Sequence, residues 1–135
     1  SFMSKAKLHS MEELEDSWWN LYEKLLSTGR AVELSLKIEL EDFLYYVQKL
    51  IHNKNLSTDE NLTGDVSIDT SAFDDSQCIG DWCAHFNSTW KNHKLVGMDI
   101  GTDSLVLMVL SNEEFKRAQE LAKELLHRID VAERL

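Results

Sequence analysis

The clearest chemistry in this sequence is offered by seven carboxylates in the middle of the chain. Residues 55–90 contain seven acidic side chains and no Lys or Arg, within a formal net charge of −10 for all 135 residues. Carboxylates this close in sequence repel one another unless a metal ion, a partner or the protein's own cations compensate them. The pattern predicts a surface that binds a basic protein partner. Its residues would be Asp59, Glu60, Asp65, Asp69, Asp74, Asp75 and Asp81.

Two other interpretations of this segment stay open. The acidic side chains would also keep an exposed loop solvated without any partner. Residues 59–70 moreover resemble a calcium-binding loop of the EF-hand kind, with oxygen-bearing side chains at positions 1, 3 and 5 and Gly64 at position 6. Position 12, where a bidentate Glu completes the coordination shell, is Thr70. We therefore expect an Asx-rich turn here rather than a calcium site.

The next segment carries residues of metal-ligand type. Asp81 and His85 are four apart on a predicted helix, so both can reach one metal ion, but a zinc site needs three or four ligands. Cys78 and Cys83 are five apart, which places their Cα atoms beyond the distance that a disulfide can join. The sequence predicts a surface Asp–His pair and two reduced thiols. No metal and no cofactor are expected.

Two carboxylates at a predicted hairpin end give the enzymatic alternative. Asp99 and Asp103 are four apart and could hold a divalent ion or act as acid and base in a small metal-dependent hydrolase. The turn composition around Gly101 explains the same residues without chemistry.

Trp18 and Trp19 are adjacent, so one helix face cannot bury both. One of the two indoles would either pack on a neighbouring helix or be exposed as an anchor for a binding partner.

The amino-acid composition narrows the class of protein further. Apolar residues make up 43% of the chain, which is ordinary for a globular protein, and no apolar run approaches the ~18 residues of a membrane-spanning helix. The acidic charge argues against a protein that coats nucleic acid, and no phosphate-binding glycine motif is present. We expect one domain over residues 1–135, with Ser1 and Phe2 a remnant of a cleaved tag, in the cytoplasm.

The apolar periodicity predicts four helices. The first begins after Ser10, which with Glu13 forms a capping box, and ends at Gly29. Residues 30–55 contain neither Gly nor Pro and carry a helical apolar stripe, so we predict one continuous second helix. The alternation of apolar residues over 32–38 leaves open a strand followed by a shorter helix.

The second half predicts a hairpin between two helices. Residues 55–75 form a long acidic connection with a possible short strand at 66–68, after which Asp74 or Ser76 would cap the third helix. Strands at 95–100 and 105–110 flank a turn at 101–104, and Ser111 with Glu114 opens a final helix whose stripe reaches Ile129. The predicted fold is α+β, with four helices around a short antiparallel sheet in the order α-α-(β)-α-β-β-α.

The carboxyl half carries a weak resemblance. With Trp90, the segment Gly97-Met98-Asp99-Ile100-Gly101-Thr102-Asp103-Ser104 and the strand and capped helix that follow, residues 82–130 resemble small acidic bacterial α+β proteins. Such proteins are similar to immunity proteins that accompany toxins of contact-dependent or polymorphic systems. The resemblance implies a non-enzymatic cytoplasmic protein that binds and blocks a cognate toxin, and it transfers no catalytic residue.

These observations predict a binding protein first. Its acidic surface would occlude the basic active cleft of a toxin such as a nuclease, because carboxylates placed where substrate phosphates sit both steer association and pair with Lys and Arg. A metal-dependent hydrolase and a structural or interaction subunit remain the alternatives. The sequence leaves the partner and the oligomeric state open.

Overall fold

The computed structural model describes residues 11–58, 66 and 68–135. It confirms the α+β class, with four α-helices and a four-stranded antiparallel sheet in that part of the chain. Two 3₁₀ turns, Thr70–Ala72 and Ala132–Arg134, accompany them. In chain order the elements are α1 (Met11–Ser27), β1 (Ala31–Ser35), α2 (Leu40–Thr58), α3 (Ile79–Thr89), β2 (His93–Met98), β3 (Ser104–Ser111), α4 (Asn112–Glu124) and β4 (Ile129–Val131).

The sheet is antiparallel throughout, in the order β1-β3-β2-β4. β2 and β3 form the predicted hairpin, with Met98 opposite Val106 beside the turn. β1 pairs with the first half of β3, and β4 pairs with β2. β1 and β4 are therefore the two edges of the sheet.

Each face of the sheet is covered by two helices. Along β3, the side chains of Leu105, Leu107 and Val109 point to the layer that α2 and α3 form. Those of Val106 and Met108 point to the layer of α1 and α4. Alternate residues of a strand face opposite sides, so a strand between two helical layers is apolar on both. β3 is thus an interior strand of the sheet, between β1 and β2.

The prediction of one helix over residues 30–55 is wrong. The chain forms β1 and then, after a turn, α2, as in the alternative reading. The turn needs neither Gly nor Pro, because the carbonyl of Ser35 accepts from the N–H of Ile38 and its hydroxyl accepts from the N–H of Lys37. The strand prevails over the helical stripe since it hydrogen-bonds to the apolar strand β3, a contact far along the chain.

The third strand of the sheet is β1 and not residues 66–68. Val66 and Ile68 lie outside any strand, and residue 67 lies outside the described residues. Val66 is instead buried in the α2–α3 layer. The element order is thus α-β-α-α-β-β-α-β.

Three predicted boundaries also move. The hairpin strands are 93–98 and 104–111, because the carboxylate of Asp99 accepts from the N–H of Gly101 and shapes the turn. α3 is capped at Cys78, two residues beyond Ser76 and four beyond Asp74, the predicted caps. The last helix ends at Glu124, where Leu126 adopts a positive φ of 60°, and Ile129 forms β4 in place of a final helical turn.

Candidate functional site: an acidic groove

Four of the seven predicted partner-binding carboxylates lie in the described residues, and all four are exposed: Asp69, Asp74, Asp75 and Asp81. They follow the segment from the 3₁₀ turn at 70–72 to the first turn of α3. We call residues 69–81 the acidic segment. The other three, Asp59, Glu60 and Asp65, lie outside the described residues, as does most of the calcium-like loop.

Two of these carboxylates are fixed by local serines. Oδ1 of Asp69 accepts from the backbone N–H of Ser71 at 3.1 Å and from its hydroxyl at 2.6 Å. Oδ1 of Asp74 accepts in the same way from Ser76, at 2.9 and 2.8 Å. These are the Asx-type turns that the composition predicts.

The turns keep both carboxylates charged. Hydrogen bonds from the Ser71 hydroxyl and N–H lower the pKa of Asp69, to which the nearby His85 adds, and those from the Ser76 N–H and hydroxyl lower the pKa of Asp74. A hydrogen bond that favours the ionised form shifts the equilibrium towards it. In the part of the chain that the structure describes, none of the four carboxylates forms an ion pair with Lys or Arg. Serine hydroxyl and backbone N–H donors hold the carboxylates of Asp69 and Asp74 in place.

The acidic segment is anchored to the core by aromatic side chains. The indole N–H of Trp82 donates to the carbonyl of Asp74 at 2.9 Å. The ring of Phe73 packs against those of His85 and Phe86, with centroids 4.8 and 4.9 Å away. The segment is therefore a fixed surface over α3.

An open depression of about 820 Å³ lies between the acidic segment and the start of α2. Its charged side chains are Asp75 on one side and Lys37, Glu39 and Glu41 on the other. Apolar side chains between them include those of Leu40, Ile79 and Trp82. The depression thus combines an apolar floor with a rim whose formal charge is negative.

A second depression, of about 380 Å³, runs beside the edge strand β1. It shares the lining residues Lys37 and Ile38 with the first, and Asp42 adds a further carboxylate. We call these two neighbouring depressions together the acidic groove. It extends from the acidic segment past the β1–α2 turn to β1.

The carboxylate of Glu33 is held by an aromatic hydroxyl. Tyr22 on α1 donates its O–H to Oε1 of Glu33. That hydrogen bond, with desolvation and the charge of Glu33, raises the pKa of Tyr22 to about 12. The phenol consequently stays protonated at neutral pH and remains a donor.

The α2 side of the groove is not evident from a continuous helix over residues 30–55. The apolar alternation over residues 32–38, which predicts the strand, is the signal for the turn that follows β1. That turn places Glu39 and Glu41 across the first depression from Asp75, and Asp42 beside β1.

The residues of metal-ligand type have structural roles close to them in the chain. Asp81 accepts hydrogen bonds from the N–H and thiol of Cys78, both at 3.3 Å, which begins α3. Cys78 and Cys83 are free thiols, as predicted, and burial raises the pKa of Cys83 to about 12. Asp99 shapes the hairpin turn. Among the described residues no group of three or more His, Cys, Asp or Glu side chains is placed to hold a metal ion.

Fold and groove define an α+β protein in which an antiparallel sheet lies between two pairs of helices, with two acidic depressions near the edge strand β1. The chain belongs to the family described as "Domain of unknown function (DUF6630)", which matches residues 3–132. Comparison with curated proteins and with solved structures finds no match. In the residues described, no helix is both long enough and apolar enough to cross a bilayer.

Proposed function

We propose that this protein is a non-enzymatic binding protein that docks a basic protein partner on its acidic segment and acidic groove. In its most concrete form the proposal is an immunity protein that acts in the cytoplasm and covers the basic active cleft of a toxin such as a nuclease. The weak resemblance of residues 82–130 to immunity proteins supports this form of it, and the two free thiols are compatible with a reducing compartment.

The observation that carries the proposal is the uncompensated charge of the acidic segment. Its four described carboxylates are exposed, and in the described residues no Lys or Arg pairs with them. Such a surface raises the rate at which a positively charged partner associates and repels partners of the same sign. Because local turns already fix Asp69 and Asp74, little side-chain entropy is lost when a partner's cation meets them.

The shape of the groove fits the same role. Protein interfaces combine a central apolar patch with a polar rim. Here the floor around Ile79 and Trp82 is apolar, and Asp75, Glu39 and Glu41 lie around it. The groove can therefore bury apolar side chains of a partner while its rim pairs with cations.

Removal of the charge tests the proposal. The wild-type protein and the variant D69N/D74N/D75N/D81N would be immobilised and exposed to extract of the source cell at about 50 and about 500 mM salt, since the higher concentration screens exposed charges. A specific partner that wild type retains at low salt would be identified, purified and used in association kinetics. We expect the variant to associate about tenfold more slowly and with a flatter salt dependence.

A control variant removes as much charge from the other side of the sheet. Asp16 and Glu23 on α1 and Glu120 and Glu124 on α4 are exposed, and D16N/E23Q/E120Q/E124Q changes the net charge equally. We expect it to associate at nearly the wild-type rate, and both variants to stay folded with melting temperatures within a few degrees of wild type. Equal association rates for the two variants would contradict a docking role for the acidic segment.

A further inference from the structure

The edge strand β1 offers backbone groups as well as charge. β1 pairs with β3 on one side only, because it is the last strand in the sheet order. In an antiparallel ladder alternate residues direct their N–H and C=O groups away from the partner strand. Within the described part of the chain, residues 32–34 make no backbone hydrogen bond outside the sheet. Their outward groups are therefore open to another strand.

The opposite edge differs in length and in its hydrogen bonds. β4 contains only three residues, Ile129–Val131. Its Ile129 carbonyl accepts from the side-chain amide of Gln119 at 3.4 Å, and its Val131 N–H donates to the carboxylate of Asp130 at 2.8 Å. Side chains thus satisfy backbone groups of β4, whereas β1 has five residues and a depression alongside.

The depression beside β1 carries the charge that selects the occupant. Asp42 and Lys37 are part of its lining, and the neighbouring depression adds Glu39. The ring of Tyr46 on α2 adds an aromatic surface. A chain lying along β1 would find the carboxylate of Asp42, the ammonium of Lys37 and an aromatic ring on the side away from β3, with the carboxylate of Glu39 in the neighbouring depression.

We propose that an extended basic segment of the partner adds to the sheet as a strand against β1, with its Lys or Arg side chains directed towards Asp42 and Glu39. The proposal rests on the proposed function and names the partner element that enters the groove. Main-chain hydrogen bonds to residues 32–34 supply affinity, and the carboxylates select positive side chains at alternate positions of the added strand. Five residues of β1 offer an edge of about 17 Å.

Two peptides of equal charge separate strand addition from simple attraction. The first is about nine residues long and alternates Lys and Val, which suits an extended chain. The second is identical except for N-methyl groups on two adjacent central residues, which remove one N–H from each edge of the peptide. Each would be titrated into the isotope-labelled full chain, with NMR amide shifts and hydrogen exchange as readouts.

We expect the unmethylated peptide to shift the amides of residues 32–34, to slow exchange where the N–H points away from β3, and to bind about tenfold more tightly than the methylated one. The variant E39Q/D42N should weaken its binding about tenfold, and the matched variant E120Q/E124Q on α4 should leave it unchanged. Equal binding of both peptides, with shifts confined to residues 69–81, would overturn strand addition and leave the proposed function standing. Binding by neither peptide would overturn strand addition as well, while the acidic-segment kinetics decide the proposed function separately.

Discussion

The indole ring of Trp18 lies flat against the imidazole ring of His127, with centroids 4.6 Å apart and ring planes only 4° from parallel. The same indole donates its N–H to the carbonyl of Asp99 at 2.8 Å. Nε2 of His127 lies 2.5 Å from the carboxylate of Glu15. Trp18 and Glu15 thus fasten α1 to the hairpin turn and to the chain that leads into β4.

We predict a measurable coupling between Glu15 and His127. Their side chains are 47% and 21% exposed, so solvent screens the pair and we expect a coupling of about 0.5–1 kcal/mol in a double-mutant cycle of E15A and H127A. The measurement is the free energy of unfolding in urea for wild type, the two single variants and the double variant. Strictly additive effects would show that the contact contributes nothing to stability.

Gly29 should tolerate a side chain less well than Gly101 does. Both have positive φ, 73° and 72°, so Ala costs about 1–2 kcal/mol at either position. A Cβ atom at Gly29 would also lie 2.8 Å from Nδ2 of Asn53, which donates to the Gly29 carbonyl, whereas at Gly101 nothing lies within 4 Å. We expect G29A to cost about 1 kcal/mol more than G101A.

The control for this comparison is the N53A background. There the side chain that collides with the new Cβ is absent, so the costs of G29A and G101A should become similar. Unfolding free energies of the variants provide the measurement. An unchanged difference in N53A would assign the extra cost to some other contact of Gly29.

Glu114 should contribute stability that disappears in acid. Partial burial alone would raise its pKa, but hydrogen bonds from Lys54 at 2.6 Å and from Ser111 outweigh burial and hold the pKa below the ordinary 4.5. A carboxyl whose pKa is lower in the folded state stabilises the fold above its unfolded-state pKa and loses this effect as the pH falls through the folded-state value. We expect E114Q to cost about 1–3 kcal/mol at pH 7, since it replaces the charge-assisted hydrogen bond between the buried Lys54 ammonium and the Glu114 carboxylate by a bond to a neutral amide.

The test is the unfolding free energy of wild type and E114Q from pH 7 downwards. Their difference should stay constant to about pH 4.5 and shrink below it. E113Q, at the exposed neighbouring position, should cost less than about 1 kcal/mol. A difference between wild type and E114Q that persists undiminished in strong acid would mean that the effect is one of packing and not of charge.

Local signals predicted much of the fold. The box of Ser111 and Glu114 begins α4, with the Glu114 N–H bonded to the Ser111 hydroxyl at 3.1 Å, and Gly29 follows the end of α1 with positive φ. β1 could not be decided locally, because Leu36 and Leu40 fit a strand and a helix equally well. Its partner β3 lies far along the chain, and only that pairing makes the alternating pattern prevail.

The candidate site was only partly predictable, because one of its two walls depends on tertiary structure. Clustering of acidic residues in sequence is visible without a structure, and the described carboxylates of the acidic segment are exposed. The other wall of the groove depends on the turn after β1, which brings Glu39 and Asp42 to it. A sequence pattern shows charge along the chain, whereas a groove depends on which segments the tertiary structure brings together.

The two serine-held carboxylates should respond to their own serine only. S71A removes the hydroxyl that donates to Asp69, so we expect the pKa of Asp69 to rise towards the ordinary 3.8 while that of Asp74 stays unchanged. S76A should raise the pKa of Asp74 and leave Asp69 unchanged, so that each variant is the control for the other. Titration of the two carboxyl carbons by NMR measures both values in one sample.

Protonation of these carboxylates removes the charge that would attract a basic partner. The same substitutions should therefore raise the pH below which docking is lost. Equal shifts of both carboxyls in either variant would indicate a general change of the segment and not the loss of one hydrogen bond.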